Sequence, residues 1–498
     1  MAAATAQRRP LPLAQLPAAL TMTLSQLPDL PAPPSPQCIA ALAAELADLA
    51  PIQAAAELER LSKDFYAYSP VLSPLLAECR AQLAVKVRTV EQVRRVASAC
   101  ARLGVPLTLR GAGTGNYGQC VPLQGGLVLD LTGLKQLRSF DPDSGEIVAE
   151  AGWLLADLDG QLALHGRALR LAPSTYRTAS LGGFIAGGAG GIGSLRWGFL
   201  RDPGNLLGLE VMTVEPEPRL VQLDASASAP LNHAYGTNGI LTALRLPTCE
   251  AVAWQQLVLG FDDWTQALAA LQGLAASALL LNNVTLLEAP VATLMPWPLG
   301  CPSAAGAEHR LLLLAAPDSL EANPQLLSAW GGRLLWQESQ AASRGLPLRE
   351  LCWNHTTLHW RGQQPDWTYL QLLLPHDPRP LLAALRQRWG HELLWHLEAV
   401  RQHGEVRLSA LPLLHYAGPT ALAELIGQCR DLGALVFDPH QITVEEGGLG
   451  GIDPAQVAAK ARHDPAGLLN PGKLRGWQQG TANLNVNRNP DSSGYRRL

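Results

Sequence analysis

The sequence predicts an α+β fold, and three observations carry that prediction. A strand–helix–strand unit stands at 83–109, further strand segments follow at 126–131, 145–151, 209–215 and 240–246, and beyond Glu250 the texture changes. There glycine thins, tryptophan accumulates, and helical segments (263–278, 319–330, 379–389) alternate with strand segments (309–315, 368–374, 405–410). A chain of 498 residues also exceeds the roughly 250–300 residues at which single cores stop growing, so two or three domains are expected.

Residues 1–37, rich in Pro, Ala and Leu without a clean period, read as a flexible N-terminal extension. Residues 38–63 are Ala-, Leu- and Glu-rich and predict a helix. In the strand–helix–strand unit, Leu83–Val87 is the first strand. Thr89 and Gln92 make a capping box, Val93, Val96, Ala97 and Cys100 form the apolar stripe, and Gly104 stops the helix. Val105–Leu109 is the second strand. A short helix at 154–165 buries Leu154, Leu158 and Leu162 and ends at Gly166. A closing segment begins with the strand 433–437, and residues 476–498 read as a flexible polar tail.

The second strand delivers Arg110 and a loop with four glycines in the next eight residues, Gly111, Gly113, Gly115 and Gly118. Gly113-Thr-Gly-Asn-Tyr-Gly118 spells a dinucleotide fingerprint, yet no helix follows; Cys120-Val-Pro122 and Gly125-Gly126 forbid one. The loop is instead suited to aim backbone N–H groups at an anion. Glycine reaches positive φ without the Cβ penalty of about 1–2 kcal/mol, and phosphate oxygens can approach it closely. Arg110 adds a permanent charge, expected at the loop's mouth. A tight turn between two strands is the alternative. A second fingerprint match, Gly188 to Gly193, also lacks the required context.

Bulk composition sets outer bounds. The chain is 47% hydrophobic and 16% charged, and its net charge of −4 argues against a nucleic-acid partner. No apolar run reaches the ~18 residues of a membrane span, so no transmembrane segment is expected. Eight scattered cysteines, none within three residues of another, exclude C-x-x-C zinc ribbons and ferredoxin-type clusters and fit a reducing compartment. A cytoplasmic location is therefore expected, with Arg8-Arg9 in a disordered tail rather than an export signal.

Four stretches in order resemble the vanillyl-alcohol oxidase / p-cresol methylhydroxylase family of FAD enzymes, near the branch of glycolate oxidase and D-lactate dehydrogenase. Arg110, Gly111, Ala112, Gly113, Thr114, Gly115 and Asn116 are similar to that family's pyrophosphate loop. Pro173, Ser174 and Thr175, followed by Gly182 and Gly183, resemble its flavin-cradling segment. Gly236–Thr242, including Gly239 and Ile240, resembles the strand along the FAD, and Asp464–Lys473, including Asn470 and Lys473, the C-terminal signature. The resemblance implies a PCMH-type FAD-binding domain in two parts, 38–250 and 431–475, with an inserted α+β cap at 251–430.

It also implies the chemistry: hydride passes from a small alcohol or 2-hydroxy acid to flavin N5, and an acceptor not named by the sequence reoxidises the flavin. Thr114 stands where covalent relatives often place His, so non-covalent FAD is expected. His415-Tyr-Ala-Gly418 stops short of the branch's metal-binding element, and Glu445-Glu446-Gly447 lacks its histidine, so no metal is expected.

Trp353–Arg361 is the most chemically loaded cap segment. On a helix, or on a strand, His355 and His359 share a face. The expectation is that one of them takes the hydroxyl proton while Arg361 pairs with a substrate carboxylate. The alternative is a structural histidine pair. His440, with Glu445 and Glu446, forms a second polar cluster where the chain returns. A flavin-binding electron-transfer or structural subunit without its own substrate chemistry is the competing function.

Overall fold

The computed structural model describes residues 27, 30–188, 190–448, 450–480 and 495–497. Most of the expected N-terminal extension, the Arg8-Arg9 pair included, and most of the expected tail lie outside the described residues.

Helix α1 (Pro36–Glu45) starts inside the expected extension: Ser35 Oγ accepts the Cys38 N–H at 3.2 Å, and Pro36 occupies the first turn. The single helix predicted over 38–63 is broken, because Pro51 cannot donate a helical hydrogen bond. The chain instead turns at Ala50 (φ 50°), bridges Ile52 to Ala84, and re-forms a helix at Ala55–Leu61.

The strand–helix–strand unit is present as predicted. Strand β1 (Leu83–Lys86) leads to helix α2 (Val90–Leu103), where Thr89 caps the Gln92 N–H and Gly104 takes φ 66°. Strand β2 (Leu107–Arg110) follows, and β3 (Leu127–Asp130) lies between β1 and β2, parallel to both. Val93, Val96, Ala97 and Cys100 pack against Leu83, Val85, Leu107 and Leu129, and Leu42 of α1 closes the far side.

A second sheet is antiparallel. Strands β4 (Leu137–Phe140), β5 (Glu146–Glu150), β6 (Gly208–Met212), β7 (Leu220–Asp224) and β8 (Ile240–Glu250) take the order β7-β6-β8-β5-β4. Tyr495–Arg497, expected in the flexible tail, pairs with Val221–Leu223 at the edge. On this sheet sits the short helix α3 (Leu181–Gly187), capped by Ser180 Oγ.

The inserted part is built on eight strands: β9 (Gln255–Phe261), β10 (Leu281–Leu287), β11 (His309–Ala315), β12 (Arg333–Ser339), β13 (Gln371–Leu373), β14 (His396–Gln402), β15 (Glu405–Ala410) and β16 (Leu435–Phe437). Their order is β12-β9-β11-β10-β14-β15-β13-β16. Helices Trp264–Ala275, Arg379–Trp389 and Pro419–Asp431 contribute to its largest apolar cluster. Asn323-Pro324 splits the helix predicted at 319–330 into Pro317–Ala322 and Gln325–Ser328. Because β16 belongs to this sheet, the inserted part extends to 437, past the boundary predicted at 430. The chain then returns: the Leu107 N–H donates to Leu468 O and the Asn470 N–H to Leu107 O, fastening the closing segment to β2.

Candidate functional site

The loop after β2 decides the character of the site. Among the described residues, no amide from Gly111 to Asn116 donates a hydrogen bond within the protein. The loop is nevertheless held firmly from behind. Arg110, only 8% exposed, donates to Leu61 O at 3.0 Å and Lys63 O at 2.6 Å. Gly115 O accepts the Phe65 N–H at 2.7 Å, Lys473 Nζ donates to Gly118 O, and Asn470 Nδ2 donates to Gln119 O and Tyr235 O, each at 2.7 Å. The carbonyls of Gly115, Gly118 and Gln119 are thus taken by the protein, while the amides of Gly111–Asn116 are left free among the described residues. Two glycines are required here sterically. Gly113 has φ +71°, and a Cβ on it would come within 2.1 Å of the Arg110 guanidinium; one on Gly111 would strike Ser180 Oγ at 2.0 Å.

Those amides border a narrow cavity of about 110 Å³ lined by Gly111–Gly115, Gly182, Gly183, Gly236 and Gly239. It shares Thr114, Gly115, Gln119, Gly183 and Gly187 with a chamber of about 370 Å³. Pro173, Ser174, Thr175, Asn116 and Phe184 line the chamber from one side, and Trp353, Asn354, Gln371, Ser409 and Phe437 from the other. The site is thus an elongated cleft, glycine-walled at one end and roofed by the inserted part at the other.

Sequence comparison identifies the fold around it. A family profile described as an FAD binding domain matches residues 81–221. The chain carries a PCMH-type FAD-binding domain. Glycolate oxidase subunit GlcD of Escherichia coli (strain K12) is 30% identical over 213 residues, 41% of this chain and 41% of that protein. A D-lactate dehydrogenase of Archaeoglobus fulgidus is 32% identical over 185 residues, 36% of this chain and 40% of that protein. The chain therefore matches about two fifths of the length of these curated relatives. Among solved structures, an alkyldihydroxyacetonephosphate synthase superposes with a TM-score of 0.67 at 14% identity, over 89% of this chain and 86% of that one, which extends the fold likeness through the cap.

The FAD-binding domain fits its cofactor on its own geometry. Free amides suit a diphosphate, the glycine walls leave room for a dinucleotide, and the hydroxyl of Tyr235, a residue of the narrow cavity, is buried without a partner among the described residues.

Several predicted site residues stand elsewhere. Arg110 lies beneath the loop, not at its mouth, because its guanidinium is consumed by backbone carbonyls. Lys473 and Asn470 likewise brace the loop from behind and line neither cavity. Burial pushes the Lys473 ammonium down to about 8, and burial pushes the neighbouring Asp64 carboxyl up to about 6 against the pull of Lys473. The Ile240 side chain is buried in the core beside β1–β3.

None of the four predicted catalytic side chains lines the cleft. The segment 354–363 is a helix, α4 (Asn354–Gln363), whose start presents Trp353 and Asn354 to the chamber. His355 Nδ1 lies 2.8 Å from Glu350 Oε2, and His359 Nε2 donates to Glu350 O at 2.9 Å. Arg361 donates to Trp367 O at 2.7 Å and lies 5.2 Å from the Tyr68 ring centre. His440 is held between Ser69 Oγ at 2.8 Å and Tyr369 O at 3.0 Å, and burial lowers it to about 4. Glu445 accepts the Arg475 and Gly476 N–H groups, and Glu446 pairs with Arg475.

The chamber offers other chemistry. His233, at φ 56°, lines it with Nε2 buried and unpartnered among the described residues. Burial, with the Arg201 charge second, lowers its imidazole to about 3 against the opposing backbone groups of Gly187, Gly188 and Gly447, so the ring is neutral. Arg201 lines the same chamber, is exposed, and among the described residues its side chain donates only to Asn232 O at 3.4 Å. A buried network fixes the opposite wall: Glu398 accepts the Trp353 N–H at 2.6 Å, and Trp353 Nε1 donates to Asn283 Oδ1 at 3.1 Å. His233 was readable, since it stands three residues before Gly236, where the Gly236–Thr242 stretch begins. Arg201 and Asn354 carry no local signal.

Among the described residues, no three His, Cys, Asp or Glu side chains converge as metal ligands. None of their helices is long and apolar enough to cross a membrane.

Proposed function

We propose that this chain is an FAD-dependent oxidoreductase that oxidises a small alcohol or 2-hydroxy acid in the chamber beneath the cap, with FAD held non-covalently. The observation that carries the reading is the row of unbonded amides at Gly111–Asn116, opening into a chamber that contains a neutral histidine and an exposed arginine. Bound FAD would supply the hydride acceptor. The chain's own residues do the rest. Arg201 draws in and orients a carboxylate, and His233 accepts the hydrogen bond of the reacting hydroxyl. Trp353, Phe184 and Phe437 exclude water from that end.

Glycolate and D-lactate, named for the relatives, are the first substrates to try. The test is the visible spectrum of the purified protein under anaerobic conditions with a panel of alcohols and 2-hydroxy acids. Bleaching of the flavin bands by one member supports the reading. Flavin bands that no member bleaches would favour an electron-transfer or structural subunit, which the engagement of His355, His359 and His440 in structural bonds also favours. A protein that neither carries nor takes up FAD removes both.

A further inference from the structure

Behind the segment that borders the chamber lies a second cleft of about 380 Å³. Pro173, Ser174 and Thr175 line the flavin chamber, whereas Ala172 and Tyr176 line this cleft, so the two share a wall. Its other walls come from both parts of the molecule: Arg167, Arg170, Arg196 and Cys249 from the FAD-binding domain, Trp254 and Arg349 from the cap.

Four half-buried guanidiniums in one cleft repel one another unless an anion stands among them. The chain as a whole carries a net charge of −4, so general basicity does not explain the cluster. Among the described residues, none of the four arginines lies within ion-pair distance of a carboxylate. Asp159 is occupied by the Leu169 N–H at 2.7 Å and the Tyr176 hydroxyl at 2.6 Å, and Glu350 by Arg177 and His355. Glu250, the other acid on the wall, is exposed.

Arg167 donates to Thr248 Oγ1 at 3.0 Å and Thr248 O at 3.3 Å, and the other three rest on rings. Arg170 lies 4.3 Å and Arg196 4.9 Å from the Trp197 ring centre, Arg196 a further 5.5 Å from Trp254, and Arg349 4.0 Å from Tyr176. Arg170 Nε is buried with no partner among the described residues. Burial first, then the charges of Arg167 and Arg196, weaken the hold of Arg170 on its proton. Arg170 Nη1 donates to Gly204 O at 3.1 Å, and Arg196 makes no side-chain hydrogen bond among the described residues; stacked guanidiniums with N–H groups to spare are preorganised for oxyanions, which they bind in bidentate fashion.

We propose that this cleft binds a small, multiply charged oxyanion, an organic phosphate or polycarboxylate, between Arg170, Arg196 and Arg349. Its volume falls in the range of small-molecule sites, about 300–1,000 Å³. Because the walls belong to both parts, an occupant fastens the cap to the FAD-binding domain.

The test is calorimetric titration of the FAD-loaded protein, with the flavin site already filled, using inorganic pyrophosphate and citrate as probes. Saturable binding of either probe, weakened at least tenfold in Arg170→Gln and Arg196→Gln at unchanged flavin content, is the expected result; the preferred probe tells phosphate from carboxylate. Arg196 makes no hydrogen bond through its side chain among the described residues, so Arg196→Gln carries the test alone should Arg170→Gln fail to fold. Absence of saturable binding by both probes, or wild-type affinity in Arg196→Gln, overturns the proposal.

Discussion

His233 and His440 show how burial divides histidines into different roles. Both are neutral in the fold, His233 lowered to about 3 and His440 to about 4, chiefly by loss of water. His440 spends both ring nitrogens on structural bonds, whereas His233 keeps Nε2 free beside the chamber. In His233→Asn the flavin is expected to stay bound while substrate bleaching slows about tenfold or more, measured by stopped-flow absorbance. His355→Ala, whose partner Glu350 lies outside the cleft, should bleach at the wild-type rate. His440 makes a stability prediction. Its folded value lies below its ordinary 6.5, so its contribution is complete above 6.5 and is lost as pH falls toward about 4. Asp438, raised by burial to about 6, works the other way: the folded state binds that proton more tightly, and stability grows as pH falls through 6. The net slope is a difference. Thermal unfolding of His440→Gln should therefore lose less stability between pH 6.5 and 4 than wild type; an equal loss contradicts the assignment.

At the scale of elements, the β2 loop is where local sequence and function coincide. Gly113→Ala forces a side chain into positive φ and onto the Arg110 guanidinium, so the purified variant should hold less than about a tenth of the wild-type flavin, read from its absorbance ratio. Gly160→Ala, on the helix Leu155–Ala163 with open space around it, should keep its flavin and gain about 0.5–1 kcal/mol in stability. The strand–helix–strand unit was legible because capping at Thr89, the apolar stripe and Gly104 all agree. The glycine loop was legible because no helix tolerates Cys120-Val-Pro122. Strand β4 was not: Arg138 and Ser139 are exposed on an edge and carry no apolar alternation. The side chains of His355, His359 and Arg361, expected to face the flavin, do not line the cleft, for a rotational reason. A helix of that sequence can present either Asn354 or His355 to the chamber, and the Glu398 bond to the Trp353 N–H, from 45 residues away, chooses the former. Arg110 misled through burial: a charge next to a phosphate loop and a charge beneath it look identical in sequence.

For the whole molecule, the proposed function depends on a cleft that neither part forms alone. The FAD-binding domain supplies the free amides and His233, and the cap supplies Trp353, Asn354 and Gln371. The bond from Asn470 N–H to Leu107 O then ties the returning chain to the strand that launches the loop. Everything turns on whether the amides from Gly111 to Asn116 take up a flavin diphosphate. Hydrogen–deuterium exchange of the peptide spanning 111–116, followed in the apoprotein and after FAD is added, reads those amides directly. The account predicts rapid exchange without FAD and marked protection with it; FAD binding that leaves exchange in this peptide unchanged would contradict it.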